Sequence, residues 1–204
     1  MGRAAAIAFA KEGAKVVGCD VNAERGASAA AEVTKPGGEM VSVQPVDLCS
    51  PLGARQVAEC AISQFGGVDI LYNNAAMAYF EYFARMTAET FNRTIREEAE
   101  TVFHLTREVW SHLIARAGGH IINTGYPNGQ FGSSAIGALA HCTAKGGVLM
   151  FLRQRAFPPG GRRFMCRLCT PWRPSCGARS ERAAARALRL LGNHGIGKQA
   201  DLLA

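Results

Sequence analysis

The sequence predicts an α/β fold with one mainly parallel sheet and helices on both faces. Strand-like and helix-like patterns alternate along the first 150 residues, in the order that parallel βαβ units require. Polar residues follow directly after the predicted strands, where open parallel sheets form their ligand crevice. A chain of 204 residues, 48% of them hydrophobic, is long enough to bury the core of a single domain.

Local start and stop residues bound the first predicted elements. An Ala-rich helix over residues 3–12 ends at Gly13, because glycine tolerates the left-handed conformation that closes helices. A strand, a helix, a turn and a second strand follow over residues 15–20, 22–33, 35–38 and 40–47.

The same alternation continues in the middle of the chain. A helix begins at Ser50 and Pro51, since proline suits the first helical position, and ends at Gly66. Next come a strand, a long helix, a strand, a loop and a helix, over residues 68–72, 87–116, 120–124, 125–136 and 137–151. A strand over 164–169 and a helix over 181–191 are predicted beyond them, and the chain is expected to stop before a last strand forms.

The net charge of +7 belongs to the end of the chain. Residues 151–204 hold ten arginines and one lysine against two acidic residues, so the first 150 residues are slightly acidic. The basic balance therefore does not indicate a nucleic-acid partner for the whole domain. No membrane partner is expected either, because no apolar run approaches 18 residues.

The seven cysteines do not predict a disulfide framework, because their number is odd and their spacing irregular. With no signal-peptide pattern at the start of the chain, the expected location is cytoplasmic. Cys166 and Cys169 resemble half of a zinc site, but Cys176 and His194 complete it at a poor spacing, so no metal is expected.

The segment from Gly2 to Asp20 resembles the opening of the short-chain dehydrogenase/reductase family, whose members begin with a strand and a TGxxxGxG loop. Only Gly2 matches that loop. The runs VDL at 46–48 and NNAA at 73–76 resemble later family segments, and the resemblance covers most of residues 2–150. It implies a Rossmann-like doubly wound parallel sheet that lacks the first strand and the glycine loop. The domain would span residues 1–204, with a family-like part at 1–150 and a divergent, Arg-rich part at 151–204.

The resemblance also implies a site for NAD. Asp20 lies 18 residues after Gly2, near the spacing at which a carboxylate binds the adenosine ribose and repels the 2′-phosphate of NADP. The alternative is that Asp20 only caps the following helix. The cofactor-binding residues implied by the family are Gly2, Asp20, Asp47, Leu48, Asn74, Ala75, Ala76, Lys145 and Pro171.

Family enzymes move a hydride between a nicotinamide and an alcohol or carbonyl, using a tyrosine, a lysine four residues later, a serine and an asparagine. This chain keeps the lysine as Lys145 but has His141 at the tyrosine position and Glu98 at the asparagine position. The serine position falls at Tyr126 when the spacing is counted from the following glycine, or at Asn128 when it is counted from His141.

The predicted catalytic residues are therefore Lys145, His141 and Tyr126. Imidazole exchanges protons near neutral pH, although the charge of Lys145 is expected to disfavour its protonated form. The prediction is a weak NAD(H)-dependent oxidation of an alcohol or reduction of a carbonyl, on a small-molecule substrate. The alternative is an inactive nucleotide-binding pseudoenzyme or a damaged gene fragment. The family also implies a homodimer or homotetramer formed through the helices at 87–116 and 137–151.

Overall fold

The computed structural model describes residues 1–115, 119–132, 136–153, 165–169 and 201–203. Within these residues, six parallel strands form one sheet in the order β2-β1-β6-β3-β4-β5. The strands are β1 (Lys15–Cys19), β2 (Glu39–Val43), β3 (Ile70–Asn73), β4 (His120–Thr124), β5 (Met165–Cys169) and β6 (Asp201–Leu203). This sheet confirms the predicted α/β fold class.

Helices connect the strands and cover the sheet. They are α1 (Gly2–Lys11), α2 (Ala23–Thr34), α3 (Pro51–Phe65), α4 (Ala88–Ile95), α5 (Thr101–Ala115), α6 (Asn128–Phe131) and α7 (Leu139–Arg153), with a π-helical turn at Arg96–Glu100 between α4 and α5. No helix in the described part of the chain is long and apolar enough to cross a membrane.

Helix ends lie where their local residues predict them. Asn22 caps α2, because its side-chain oxygen accepts a hydrogen bond from the backbone N–H of Arg25. Pro51 is the first residue of α3, and Gly66 closes that helix in the left-handed conformation at φ 82°. Interactions between residues close in sequence therefore account for these helix boundaries.

Several elements differ from their predicted bounds. A short helix, α6, lies within the predicted loop over 125–136, and two further differences have a clear physical reason. β2 ends at Val43 rather than at residue 47, because Pro45 has no N–H with which to extend a sheet ladder. The helix predicted over 87–116 is interrupted by the π-helical turn, which accommodates one wider turn between α4 and α5.

The expectation that no strand forms near the end of the chain was wrong. β6 lies between β1 and β3, with Leu202 opposite Val16 on one side and Ile70 on the other. It occupies the central place that the missing first strand was expected to leave open. Strands in the middle of a sheet need partners for their backbone N–H and C=O groups, and β6 provides them.

Alternating residues of the strands pack into cores on the two faces of the sheet. On one face, Val16 and Ile70 pack with residues of α1 and α2, including Phe9 and Val33. On the other face the strands pack against α3 and α5. That second cluster includes Val17, Leu71, Ile121, Val57, Leu105 and Leu113. The two cores hold β1, β3 and β4 rigidly, and with them the residues that follow these strands.

The predicted strand over residues 164–169 is confirmed as β5. The predicted helix over 181–191 lies outside the described residues, as do Pro171, Cys176 and His194.

Candidate active site

The ends of β3 and β4 are tied together by buried amides. The side-chain N–H of Asn73 donates to Oδ1 of Asn123 at 2.8 Å and to Oγ1 of Thr106 on α5 at 3.2 Å. Asn74 follows β3 directly, and Asp20 follows β1 on the same edge of the parallel sheet. Residues predicted to bind a nucleotide therefore lie at one common edge of the sheet.

Asp20 is held in a local turn before α2. Its Oδ1 accepts a hydrogen bond from the backbone N–H of Asn22 at 2.8 Å, while its backbone carbonyl accepts from the N–H of Val46. The cap of α2 is Asn22, so the alternative in which Asp20 caps that helix was wrong. The carboxylate remains partly exposed beside the edge of the sheet.

Gly2 begins α1 against the end of β3. A Cβ added at Gly2 would lie 2.8 Å from Nδ2 of Asn74, which is too close for any other residue unless the amide shifts. A cleft next to these residues is lined by Leu48, Tyr72, Asn73, Asn74, Ala75, Thr101, Val102 and Leu105. The structure thus brings together four of the predicted cofactor residues: Gly2, Leu48, Asn74 and Ala75.

Asp47 and Ala76, which are also predicted to contact the cofactor, are exposed and are not among the residues lining that cleft. Oδ1 of Asp47 accepts a hydrogen bond from the backbone N–H of Cys49, which forms a tight turn before α3. The structure places both residues at the same edge of the sheet, after β2 and β3.

The π-helical turn carries a buried carboxylate into contact with α7. Glu98 is 2% exposed, and its Oε2 lies 2.7 Å from Nδ1 of His141. Its Oε1 lies 3.5 Å from Nζ of Lys145, one helical turn further along α7. One carboxylate therefore contacts two of the three predicted catalytic residues.

Aromatic rings enclose the imidazole of His141. The Tyr126 ring lies 4.5 Å from it between centroids, and the Phe80 ring packs edge-on at 5.4 Å. The side-chain N–H of Asn128 donates to the Tyr126 hydroxyl at 3.1 Å, so the two candidates for the serine position contact each other, and Tyr126 lies beside the imidazole. Glu81 and Ala138 bridge the two loops that carry these rings.

Lys145 is almost completely buried beneath this cluster. It is 5% exposed, and its Nζ donates to the backbone carbonyl of Thr124 at 3.1 Å. Burial lowers the pKa of Lys145 below its ordinary value, and the negative charge of Glu98 partly opposes that shift. The carboxylate of Glu98 thus contacts both Lys145 and His141.

Two residues that form this site were given no role in it from the sequence. From the sequence, Glu98 is identified only as the residue at the asparagine position of the family. Its burial depends on the π-helical turn, which no local pattern predicted. Phe80 lies in a loop four residues beyond the NNAA run, where nothing distinguishes it from other exposed aromatic residues.

Most of the chain matches the model of a known enzyme family. A family model described as short chain dehydrogenase matches residues 1–168. The chain belongs to the short-chain dehydrogenase family. The match extends beyond residue 150, where the family-like part was expected to end.

Several characterised members of the family are similar to this chain. The peroxisomal hydratase-dehydrogenase-epimerase of Saccharomyces cerevisiae is 32% identical over 158 residues, which are 73% of this chain and 17% of the yeast protein. The 3-oxoacyl-(acyl-carrier-protein) reductase FabG of Escherichia coli is 31% identical over 156 residues, 76% of this chain and 62% of that reductase. The chain therefore spans less than two thirds of these relatives.

Solved structures of family members show the same fold. A short chain dehydrogenase from Mycobacterium avium is 29% identical, with a TM-score of 0.66 over 74% of this chain and 56% of its own. A metagenomic short-chain oxidoreductase in complex with NADP is 21% identical, with a TM-score of 0.79 over 99% of this chain and 90% of its own. This likeness supports the Rossmann-type fold of the short-chain dehydrogenase family.

Proposed function

We propose that this chain is an NAD(H)-dependent oxidoreductase that oxidises an alcohol or reduces a carbonyl, with His141 as the group that transfers the proton. The observation that carries the proposal is the meeting of His141, Lys145 and Tyr126 at the end of β4, around the buried carboxylate of Glu98. Family membership supports the oxidoreductase class, and the geometry supports an imidazole in place of the family's phenol.

The residue types at the sheet edge support dinucleotide binding. The first turn of α1 begins at Gly2 beside Asn74, and the N–H groups of a helix N-terminus suit a pyrophosphate. Gly2 leaves room beside Asn74, where a Cβ would collide, and the neighbouring cleft offers an apolar wall and amide groups. A bound nicotinamide dinucleotide would supply or accept the hydride.

Asp20 supports a preference for NAD. A carboxylate binds two ribose hydroxyls and repels a 2′-phosphate. Arg3, a cation next to Gly2 that could favour NADP, instead contacts Glu32 at 3.4 Å and Ser28 at 3.1 Å on α2. The metagenomic relative holds NADP, so the preference of this chain is a property to be measured with both cofactors.

The residues around His141 have different proposed roles in the reaction. Lys145, fixed by Thr124 and Glu98, would bind the nicotinamide ribose. The Tyr126 hydroxyl would orient the carbonyl oxygen, with Asn128 holding that hydroxyl. His141 would give its proton to the carbonyl oxygen during reduction and take it back during oxidation.

The substitution of three of the four family catalytic residues supports weak activity, and it also supports a second function. In that alternative the chain is a nucleotide-binding pseudoenzyme that keeps the fold without the reaction.

We further propose a cytoplasmic homodimer or homotetramer. Apolar side chains exposed on α5 and α7, Phe103 and Met150, support pairing through these helices.

Two measurements test the proposed function. NADH and NADPH are titrated by fluorescence, and turnover is followed by NADH absorbance with a panel of alcohols, aldehydes and ketones. We expect NADH to bind more tightly than NADPH and a slow turnover that His141→Ala abolishes. The matched control is His104→Ala on α5, which should leave turnover unchanged. Binding without turnover supports the pseudoenzyme, and no binding of either cofactor rejects both functions.

A further inference from the structure

The π-helical turn gives Glu98 a position that an uninterrupted helix would not. The turn lies between α4 and α5 and directs this carboxylate into the packed space against α7, where it is 2% exposed. π-Helical turns are rare in proteins as a whole, but those that occur often lie at functional sites. Because burying a carboxylate is costly unless its oxygens are bonded, its two contacts on α7 are what make this position tolerable.

A short contact joins the carboxylate of Glu98 to one ring nitrogen of His141. A separation of 2.7 Å is in the range of charge-assisted hydrogen bonds. An ionised carboxylate only accepts hydrogen bonds, so the proton on this side of the ring belongs to Nδ1 of His141. In the neutral ring, the other nitrogen, Nε2, is then the unprotonated one and can accept a proton.

The groups around His141 leave Glu98 as its main charged partner. Lys145 is the cation one helical turn further along α7, and it is held by the other oxygen of Glu98. Tyr126 from the loop after β4 and Phe80 from the loop after β3 contribute rings. Cys142 is adjacent in the chain, and burial raises the pKa of its thiol, so it adds no charge near neutral pH.

We infer that Glu98 is a positioning residue that holds His141 in the Nδ1–H form and presents Nε2 to the reacting oxygen. The inference rests on the proposed function only for the identity of that oxygen. In carbonyl reduction, a bound reduced nicotinamide would supply the hydride for the new C–H bond, so that the electrons of the broken C=O π bond pass to the oxygen. The oxygen takes the proton from Nε2 of the imidazolium, which forms the O–H bond and leaves a neutral Nδ1–H imidazole. A proton from solvent restores the imidazolium.

The direct test uses NMR of the histidine side-chain nitrogens in the full chain labelled with ¹⁵N. His141 is assigned by the loss of its signals in His141→Gln. Above the pH at which the ring is protonated, we expect the Nδ1–H form in the unmodified protein. Glu98→Gln should shift His141 toward a mixture of both tautomers, because an amide both donates and accepts. An Nε2–H form in the unmodified protein, or no change in Glu98→Gln, overturns the inference.

Glu97→Gln is the matched control. Glu97 lies on the same π-helical turn, but its oxygens contact Arg93 at 2.8 Å and the Tyr79 hydroxyl at 3.0 Å rather than His141. The substitution removes the same charge from the same turn, so the His141 tautomer should not change. A tautomer change of the same size in both variants would show a general effect of the turn and would also overturn the inference.

Kinetics separate this inference from the proposed function. If the protein turns over, Glu98→Gln should lower kcat by about 100-fold, a modest general acid–base contribution, with KM for NADH changed much less. The pH dependence of kcat should also change in Glu98→Gln, whereas Glu97→Gln should keep the pH profile of the unmodified protein. An unchanged kcat and pH profile in Glu98→Gln overturns the inference. If the protein has no turnover at all, the proposed function fails while the NMR result still decides the role of Glu98.

Discussion

Lys145 and Thr124, on α7 and β4, are joined by a hydrogen bond from Nζ to the backbone carbonyl oxygen at 3.1 Å. The bond places a nearly buried amine at the carboxyl end of β4. Its proton is therefore linked to the stability of the fold.

Lys145→Met should change how stability depends on pH. Because burial lowers the pKa of Lys145 in the folded chain, the unfolded chain binds more protons between that lowered pKa and the ordinary value of 10.5. Stability from this group therefore rises with pH across that window. Measured by urea unfolding, the unmodified protein should gain stability relative to Lys145→Met as the pH is raised from neutral toward 10.5. Lys11→Met, at an exposed lysine, is the control, and an equal pH slope in both variants contradicts the prediction.

Restoring the family's tyrosine alone should not restore activity. In His141→Tyr, the new phenol would face the buried carboxylate of Glu98, and this like charge disfavours the phenolate. Adding Glu98→Asn removes the charge and recreates the family's tyrosine and asparagine. We expect the double variant to exceed either single variant in kcat/KM by about tenfold or more, which corresponds to about 1.4 kcal/mol. Glu97→Asn combined with His141→Tyr serves as the control, and equal gains from both double variants would contradict this coupling.

Asp20→Asn should weaken the preference for NAD. The amide keeps an oxygen to accept from the N–H of Asn22, so the turn is retained while the charge is lost. We expect the Kd for NADH to rise about tenfold, or about 1.4 kcal/mol, and the Kd for NADPH to fall, both followed by fluorescence titration. Glu24→Gln in the first turn of α2 is the control, and an unchanged ratio of the two constants in Asp20→Asn refutes the role of Asp20.

Cys49 should react slowly with alkylating agents despite its partial exposure. Burial, together with the hydrogen bond and charge of Asp47, raises the pKa of the Cys49 thiol to about 12. Only the thiolate reacts, so alkylation near pH 8 should be slow, as measured by mass spectrometry of the peptide. Asp47→Asn should speed it several-fold, whereas Glu59→Gln, on the following helix, should not. Fast alkylation of Cys49 in the unmodified protein would contradict the raised pKa of its thiol.

Gly137→Ala should loosen the loops that enclose His141. A Cβ at residue 137 would lie 2.3 Å from the backbone carbonyl carbon of Glu81, so the two loops must separate. We expect a loss of about 1–3 kcal/mol in the free energy of unfolding, measured with urea. Gly147→Ala on α7 meets no atom within 4 Å and should instead stabilise the helix by up to about 1 kcal/mol. Equal effects of the two substitutions would contradict the contact.

Much of the fold and part of the site could be predicted from local patterns. Helix boundaries at Asn22, Pro51 and Gly66 depend on neighbouring backbone groups, so residues close in sequence are sufficient to predict them. The polar residues after β1 and β3 could be predicted because parallel strands end at one edge. The approach of His141 and Lys145 to one another follows from their spacing on a helix.

The sequence by itself thus determined the α/β class, the family resemblance and the edge of the sheet that carries the candidate site. Only the tertiary structure decided that Glu98 contacts His141, 43 residues away, and that β6 lies between β1 and β3. The physical reason is that periodicity, capping and turn chemistry act over a few residues. The burial of a carboxylate and the pairing of a central strand instead depend on which distant groups the completed fold brings within hydrogen-bonding distance.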